Sequence, residues 1–258
     1  MSDQSIVDDL YIKKDTLSTR VNLHQKYSIN KQGWNNWVFD QYNINENNKI
    51  LEFGCGIGSI WKEKENVLPN GVEVILTDIS PLMVEKVKEN FFENKIFSYQ
   101  LMNIQDVPFP DNSFDIVIAN HLLYHVADIE KALSEVKRVL KIDGIFYATT
   151  VGKHHLMELE IIYRIYDNFC KFSYSGDLSF ILENGHNILK NYFSVIDKRL
   201  YKDSLEVTDI KDLMDYIVSY NKIPNEIYQE IFGIIKKVIE RDGMMKIVKN
   251  SGMFICKK

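Results

Sequence analysis

Apolar residues along the 258-residue chain gather into seven short runs, separated by stretches in which they recur every three or four positions. The runs are Ile50–Phe53, VEVILTD ending at Asp78, Ile96–Met102, FDIVIAN ending at Asn120, Ile145–Val151, Phe193–Tyr201 and Lys246–Cys256. All are short enough for strands, and the unbroken FDIVIAN run is that of a parallel strand covered on both faces. Pro81–Phe92 puts Met83, Val87 and Phe91 on one helix face, with Ser80 as N-cap and Pro81 in the first turn. Asp128–Leu140 turns Ile129, Leu133, Val136, Val139 and Leu140 inward, and Lys141 to Gly144 closes it. Ahead of the first strand, Trp34, Trp37, Val38 and Tyr42 recur at helical spacing, which predicts a helix on the domain edge. Gly152–Leu189, Asp209–Tyr220 and Pro224–Arg241 also read as helical. Strands alternating with helices predict one α/β domain with a mainly parallel sheet.

The first strand runs into Gly54, Gly56 and Gly58, a turn in which a Cβ would clash. Ser59–Asn66 then reads as a helix start, whose free N–H groups favour an anionic group. A dinucleotide fingerprint needs its third glycine where Ser59 stands; here it comes one place early, at Gly58, which counts against NAD. Glu52 places a carboxylate at the strand's end, where an ammonium is welcome and a pyrophosphate is repelled. Asp78 ends the second strand 20 residues after Gly58 and suits two ribose hydroxyls. The implied ligand has a ribose, an amino-acid end and no phosphate.

The E-x-G-x-G-x-G pattern from Glu52 and the strand-ending Asp78 continue into NIQDVPFPDNSFD over 103–115, then IVIANHLLYHV and LSEVKRVLKIDGIFYATT. In this order they resemble the class I S-adenosylmethionine-dependent methyltransferases, over roughly Lys49 to Val151. The resemblance is closest to the methyltransferase-11 and ubiquinone/menaquinone methyltransferase branch. It implies a Rossmann-like, doubly wound, seven-stranded, mostly parallel sheet with an antiparallel last strand and a helical cap. It also implies S-adenosylmethionine as cofactor, S-adenosylhomocysteine as product, and direct in-line transfer to an O, N or C atom of a small molecule. The same resemblance assigns Glu52 to the methionine ammonium, the backbone of Gly54, Cys55 and Gly56 to its surroundings, and Asp78 to the ribose. Ile79 would wall the adenine, Asn103 with Ile104 would recognise it, and Asn120 and His121 would lie beside the methionine part. Asn103 stands where the family commonly has Asp; its amide keeps one acceptor oxygen, and Asp106 is a nearby alternative.

Related families fold an N-terminal segment over the cofactor, so residues 1–48 are expected to form a helical lid in which Tyr27 or Trp34 contributes. Segments 152–190 and 205–243 are expected to cap the same domain. Tyr163, Tyr166, Phe169, Phe172 and Tyr174 are either the core of that helical layer or the wall of an apolar substrate pocket. The general base stays open among His154, His155, His121 and Tyr27, while His125 reads as a packed residue. NHLL is not the N/D-P-P-aromatic motif of amino-group methylation on nucleic-acid bases. Two other readings remain: an RNA or protein methyltransferase, and a non-catalytic S-adenosylmethionine-binding sensor or interaction protein.

Composition narrows the partners. With 45% hydrophobic and 26% charged residues and a net charge of −5, the chain lacks the footprint of a nucleic-acid binder. Cys55, Cys170 and Cys256 form no disulfide framework or zinc pattern, so no metal is expected. MSDQSIVDDL has no apolar leader core, and no apolar run approaches the ~18 residues of a membrane span. The expectation is a cytoplasmic protein with a small-molecule substrate and no membrane partner.

Overall fold

The computed structural model describes residues 14–92, 94–165, 178–219 and 223–258. Tyr166, Phe169, Phe172, Tyr174 and Cys170 lie outside them.

The described residues form one seven-stranded sheet in the order β3-β2-β1-β4-β5-β7-β6. The strands are β1 (Lys49–Phe53), β2 (Glu73–Asp78), β3 (Phe97–Leu101), β4 (Phe114–Asn120), β5 (Leu140–Val151), β6 (Val195–Val207) and β7 (Met245–Lys257). β7 runs antiparallel to both its neighbours, and every other pairing is parallel. This is the doubly wound Rossmann-like sheet expected, with its antiparallel last strand.

Strand alternation divides the core. Leu51, Phe53, Val117, Ala119, Phe146 and Ala148 face one side, against Ala132, Leu133, Val136 and Val139 of a helix over Ile129–Val139. Asp128 caps that helix by accepting from the Lys131 amide at 2.9 Å, which satisfies one of its unpaired first-turn donors. Ile50, Ile116, Ile118, Val74 and Leu76 face the other side, where Trp61, Val87 of a helix over Pro81–Asn90 and Val38 of a helix over Trp34–Phe39 close the layer.

Three expectations need correcting. The helix start at Ser59–Asn66 is a chain of tight turns, Trp61 N to Gly58 O and Lys64 N to Trp61 O, ending in a 3-10 turn at Glu65–Val67. Glycines with φ of +64°, +55° and +75° and Glu63 at +64° keep the backbone out of a regular helix directly after the loop. β5 begins at Leu140, not Ile145, because Leu140 already pairs with Phe114 across a bulge and Lys141 ion-pairs with Asp115 at 2.8 Å. β6 runs on from Tyr201 to Val207, so the segment from 205 starts inside the sheet. Within the N-terminal segment expected to be helical, Lys14–Tyr27 forms a helix that buries Leu23 and Tyr27, one turn apart, among its described side chains.

We number the helices α1 (Lys14–Tyr27), α2 (Trp34–Phe39), α3 (Pro81–Asn90), α4 (Ile129–Val139), α5 (Met157–Ile165), α6 (Gly185–Leu189), α7 (Ile210–Val218) and α8 (Asn225–Asp242). A third apolar cluster unites Leu23 and Tyr27 of α1, Leu159 and Tyr163 of α5, Leu213 and Ile217 of α7, and Ile231 and Ile235 of α8 with Leu205 and Ile247 of β6 and β7. Tyr163 is a core residue there, its hydroxyl donating to Ile217 O at 3.1 Å.

Candidate functional site

The loop after β1 is shaped by three glycines at positive φ and pinned to β2 by Cys55 N donating to Thr77 O at 2.9 Å. At Gly58 an added Cβ would lie 2.5 Å from Phe91 Cε2 and 2.9 Å from Val87 Cγ2; at Gly56 it would meet nothing within 4 Å. Gly58→Ala is therefore expected to cost about 2–4 kcal/mol in a urea melt, from overpacking plus backbone strain. Gly56→Ala should cost about 1 kcal/mol, from strain alone. Equal costs would refute the steric account.

Asp78 closes the loop from the other side. Its Oδ2 accepts from Gly56 N at 3.0 Å and its Oδ1 from Ser80 N at 2.9 Å, so one carboxylate fixes both the glycine turn and the entry to α3. Beyond it the chain turns at Asn103, whose Oδ1 accepts from Gln105 N at 2.9 Å.

These elements enclose a cavity of about 330 Å³ at the carboxyl edge of the sheet, where ligands bind in open α/β folds. Gly54, Cys55, Gly56, Asp78, Ile79, Asn103, Ile104, Asn120 and His121 all line it. Glu52 and Tyr27 do not. Glu52 is 2% exposed, and its two oxygens accept from Trp61 Nε1 and, at 2.9 Å, from Asn120 Nδ2. It therefore reaches the cavity only through Asn120, whose Nδ2 also donates to the Tyr42 hydroxyl at 2.8 Å and whose buried Oδ1 has no partner among the described residues. Burial pushes the Glu52 carboxyl up to about 7, the N–H groups of Trp61 and Asn120 pull the other way, and the Asp78 charge adds to the rise.

Tyr27 is placed in the α1–α7 cluster, its hydroxyl donating to Asp212 Oδ2 at 2.7 Å. His155 Nδ1 accepts from Asn250 N at 3.2 Å, and burial holds its pKa well below the usual range. His154 is exposed and lines no part of the cavity. Asp106 is exposed too, and Gln105 takes the place beside Asn103.

His121 is the one candidate base on the cavity wall. It sits at φ +48°, with its amide donating to Thr149 Oγ1 at 2.9 Å. Burial, then the charges of His125 and Lys249, hold its pKa down to about 4. His125, which the sequence reads as a packed residue, is a second histidine lining the cavity, its pKa lowered by desolvation. Met83, Met102, Leu122 and Val126 add apolar wall, and Val21 of α1 reaches in from the N-terminal side. Met83 was legible as an inward helix position. Val21 was not, because its helix carries no long apolar stripe.

Comparison with known proteins matches residues 51–148 to a methyltransferase domain, Methyltransf_11. The chain is 29% identical over 136 residues to the ubiquinone/menaquinone biosynthesis C-methyltransferase of Pectobacterium carotovorum, covering 52% of this chain and 54% of that protein. It is 35% identical over 125 residues to the demethylmenaquinone methyltransferase of Symbiobacterium thermophilum, covering 46% of this chain and 49% of that one. It thus spans about half the length of these relatives. Among solved structures, Haemonchus contortus phosphoethanolamine N-methyltransferase 2 in complex with S-adenosyl-L-methionine superposes with a TM-score of 0.63 at 19% identity, over 100% of this chain and 60% of that one. The YcgJ protein of Bacillus subtilis superposes with a TM-score of 0.61 at 17% identity, over 87% of this chain and 97% of that one.

Proposed function

Residues 51–148 are a class I S-adenosylmethionine-dependent methyltransferase domain, and from that premise we propose that the chain methylates a small molecule inside the cavity at the sheet edge. One observation carries the reading: a single cavity runs from Asp78, Ile79 and Asn103 to His121, His125 and Val21, so cofactor and acceptor sides share one space.

The residues fit the cofactor. The buried, unpartnered Asn120 Oδ1 is an acceptor for an ammonium, and the open space beside Gly56 lets backbone come close to a ligand. Asp78 is the acceptor for ribose hydroxyls, Ile79 and Ile104 are apolar walls for a purine, and Asn103 offers an amide to its edge. Glu52 acts behind Asn120, fixing its amide orientation and adding negative charge near the ammonium. When bound, S-adenosylmethionine supplies an electrophilic methyl group on a sulfonium.

What the protein contributes is alignment and exclusion of water. Leu122, Val126 and, from α1, Val21 give the acceptor side an apolar lining. His121 and His125 are both held neutral near pH 7, so either ring can take a proton from an acceptor hydroxyl or acidic carbon. With its pKa near 4, His121 is the weaker base and suits orientation; His125, less buried, suits proton removal.

The test is radiolabel transfer from methyl-labelled S-adenosylmethionine to a panel of small-molecule extracts, run beside RNA and protein fractions. Label in a low-mass product, at least about tenfold reduced in His125→Asn with S-adenosylhomocysteine affinity intact, is the expected result. Label only in RNA or protein would overturn the small-molecule reading.

A further inference from the structure

α2 ends at Phe39, and the chain leaves it through two tight turns, Gln41 N to Val38 O at 3.1 Å and Tyr42 N to Phe39 O at 3.0 Å. Both neighbours of Tyr42 are then tied to strands. Arg199 of β6 donates from Nη1 to Gln41 Oε1 at 2.9 Å, and the Asn43 amide donates to the Tyr147 hydroxyl of β5 at 2.8 Å. The Tyr42 ring stands edge to face against Tyr147, with centroids 4.9 Å apart, and stacks on Trp61 at 6.1 Å. A residue ahead of the matched segment 51–148 thus has its backbone and its ring held by the sheet.

The hydroxyl on that ring meets Asn120, which lines the cavity. The last torsion of an asparagine is broad and has no staggered preference, so its partners decide where the amide points. Asn120 Nδ2 carries two hydrogens; one goes to Glu52 Oε1 at 2.9 Å and the other to the Tyr42 hydroxyl at 2.8 Å. An ionised carboxylate only accepts, so the nitrogen and not the oxygen turns toward Glu52. One such bond leaves the amide free to pivot about it, and the second fixes its plane. Oδ1 is then the polar atom of the side chain left over, buried and without a partner among the described residues.

The contacts close on themselves. Trp61 donates its indole N–H to Glu52, Glu52 accepts from Asn120, Asn120 donates to Tyr42, and Tyr42 stacks on Trp61. Moving any one of the four side chains disturbs its two neighbours, so the amide is set before a ligand arrives. Burial, then the charge of Glu52, holds the Tyr42 phenol well above its usual range, so the hydroxyl takes its hydrogen from Asn120 as a neutral group.

We propose that Tyr42 is a positioning residue of the cofactor site, holding the Asn120 amide so that Oδ1 accepts from the ammonium of S-adenosylmethionine. This role rests on the methyl-transfer reading and carries its site to a residue outside the matched segment. It concerns the amino-acid end of the ligand alone, because Asp78 and Asn103, proposed for ribose and adenine, are placed by the ends of β2 and β3.

Two ligands separate this role from general support of the site. S-adenosylhomocysteine carries the ammonium; 5′-methylthioadenosine has the ribose and adenine but no amino-acid end. Tyr42→Phe keeps the ring between Tyr147 and Trp61 and removes only the hydroxyl. In calorimetric titration of the full chain, with a thermal melt to show that it is folded, this variant is expected to bind S-adenosylhomocysteine about tenfold more weakly and 5′-methylthioadenosine within about twofold of wild type. Asn120→Ala should weaken S-adenosylhomocysteine at least as much, and adding Tyr42→Phe to it should change that affinity by less than about twofold, because the phenol acts through the amide. S-adenosylhomocysteine affinity unchanged in Tyr42→Phe, equal losses for the two ligands, or a further loss of about tenfold on the Asn120→Ala background would each overturn the role of Tyr42. Wild-type protein that binds neither ligand overturns the methyl-transfer reading beneath it.

Discussion

Asp78→Ala is expected to weaken S-adenosylhomocysteine binding by about 100-fold or more, the largest loss of any single change at the site. Two effects add. The carboxylate is the ribose acceptor in the proposed binding mode, and hydrogen bonds to a charged group are worth about 1.5–3 kcal/mol each. The same carboxylate accepts from Gly56 N and Ser80 N, at 3.0 and 2.9 Å, so alanine also strands two backbone donors at the glycine turn. Together these exceed about 3 kcal/mol, or roughly two decades in affinity. Asp78→Asn separates the two effects: it keeps one acceptor oxygen and the volume, and should lose about tenfold. Calorimetric titration, with thermal melts to show that each variant is folded, makes the comparison. An alanine variant that binds within tenfold of wild type would remove the ribose from Asp78.

The part of the site legible in the sequence is the part built from strand ends. Gly54, Asp78, Asn103 and Asn120 each follow an apolar run, and a parallel sheet brings the carboxyl ends of β1, β2, β3 and β4 to one edge whatever the helices do. That explains why all four border the cavity. Glu52 shows the limit of the same logic. Its position at the end of β1 was readable, but strand parity points its side chain under the loop toward Trp61, and only packing shows that Asn120 stands between it and the ligand.

The misread elements share a cause, in that long-range partners override local pattern. The turn after Gly58 looked helical because Ser59–Asn66 contains nothing that forbids a helix, yet Trp61 is fully buried against β1 and its indole is committed to Glu52. β6 extends to Val207 because β7 supplies a partner for every residue of it, and that partner comes 38 residues later across two helices. His154, His155 and Tyr27 are candidates by residue type near a strand end or in a lid, and type says nothing of direction. His155 spends its Nδ1 on the Asn250 amide and Tyr27 its hydroxyl on Asp212. His125 reads as packed because a lone histidine in an apolar segment commonly is, and only the enclosed space beside Leu122 and Val126 marks it.

Cofactor affinity is expected to rise with pH from about 5.5 to about 7.5 by tenfold or more, with uptake of the ligand releasing a proton. The cause is Glu52, whose carboxyl burial pushes up to about 7 from an ordinary 4.5. Among the described residues no ammonium or guanidinium contacts it; its partners are the neutral N–H groups of Trp61 and Asn120. A ligand with an ammonium beside Asn120 supplies the missing positive charge, so it favours ionised Glu52 and must expel the proton below pH 7. Glu52's own share in the stability of the free protein should run in the opposite sense. A folded-state pKa above the unfolded one gives stability that is full below about 4.5 and lost as pH rises through about 7. His24 and His121, depressed from 6.5 to about 4, contribute stability that is full above 6.5 and lost as pH falls toward 4. Between 4.5 and 6.5 the two histidines outnumber the one carboxyl, so the contribution of these three groups rises with pH to about 6.5, slips as Glu52 ionises, and levels off above 7. Because ionised Glu52 is the form the ligand relieves, the rise in melting temperature on adding S-adenosylhomocysteine should be larger at about pH 8 than at about pH 6. Glu52→Gln should match wild-type affinity near pH 5.5, fall about tenfold behind it near pH 8, and release no proton when titrated in buffers of different ionisation enthalpy. If the variant keeps the wild-type pH dependence, the proton belongs elsewhere and Glu52 serves only to orient Asn120.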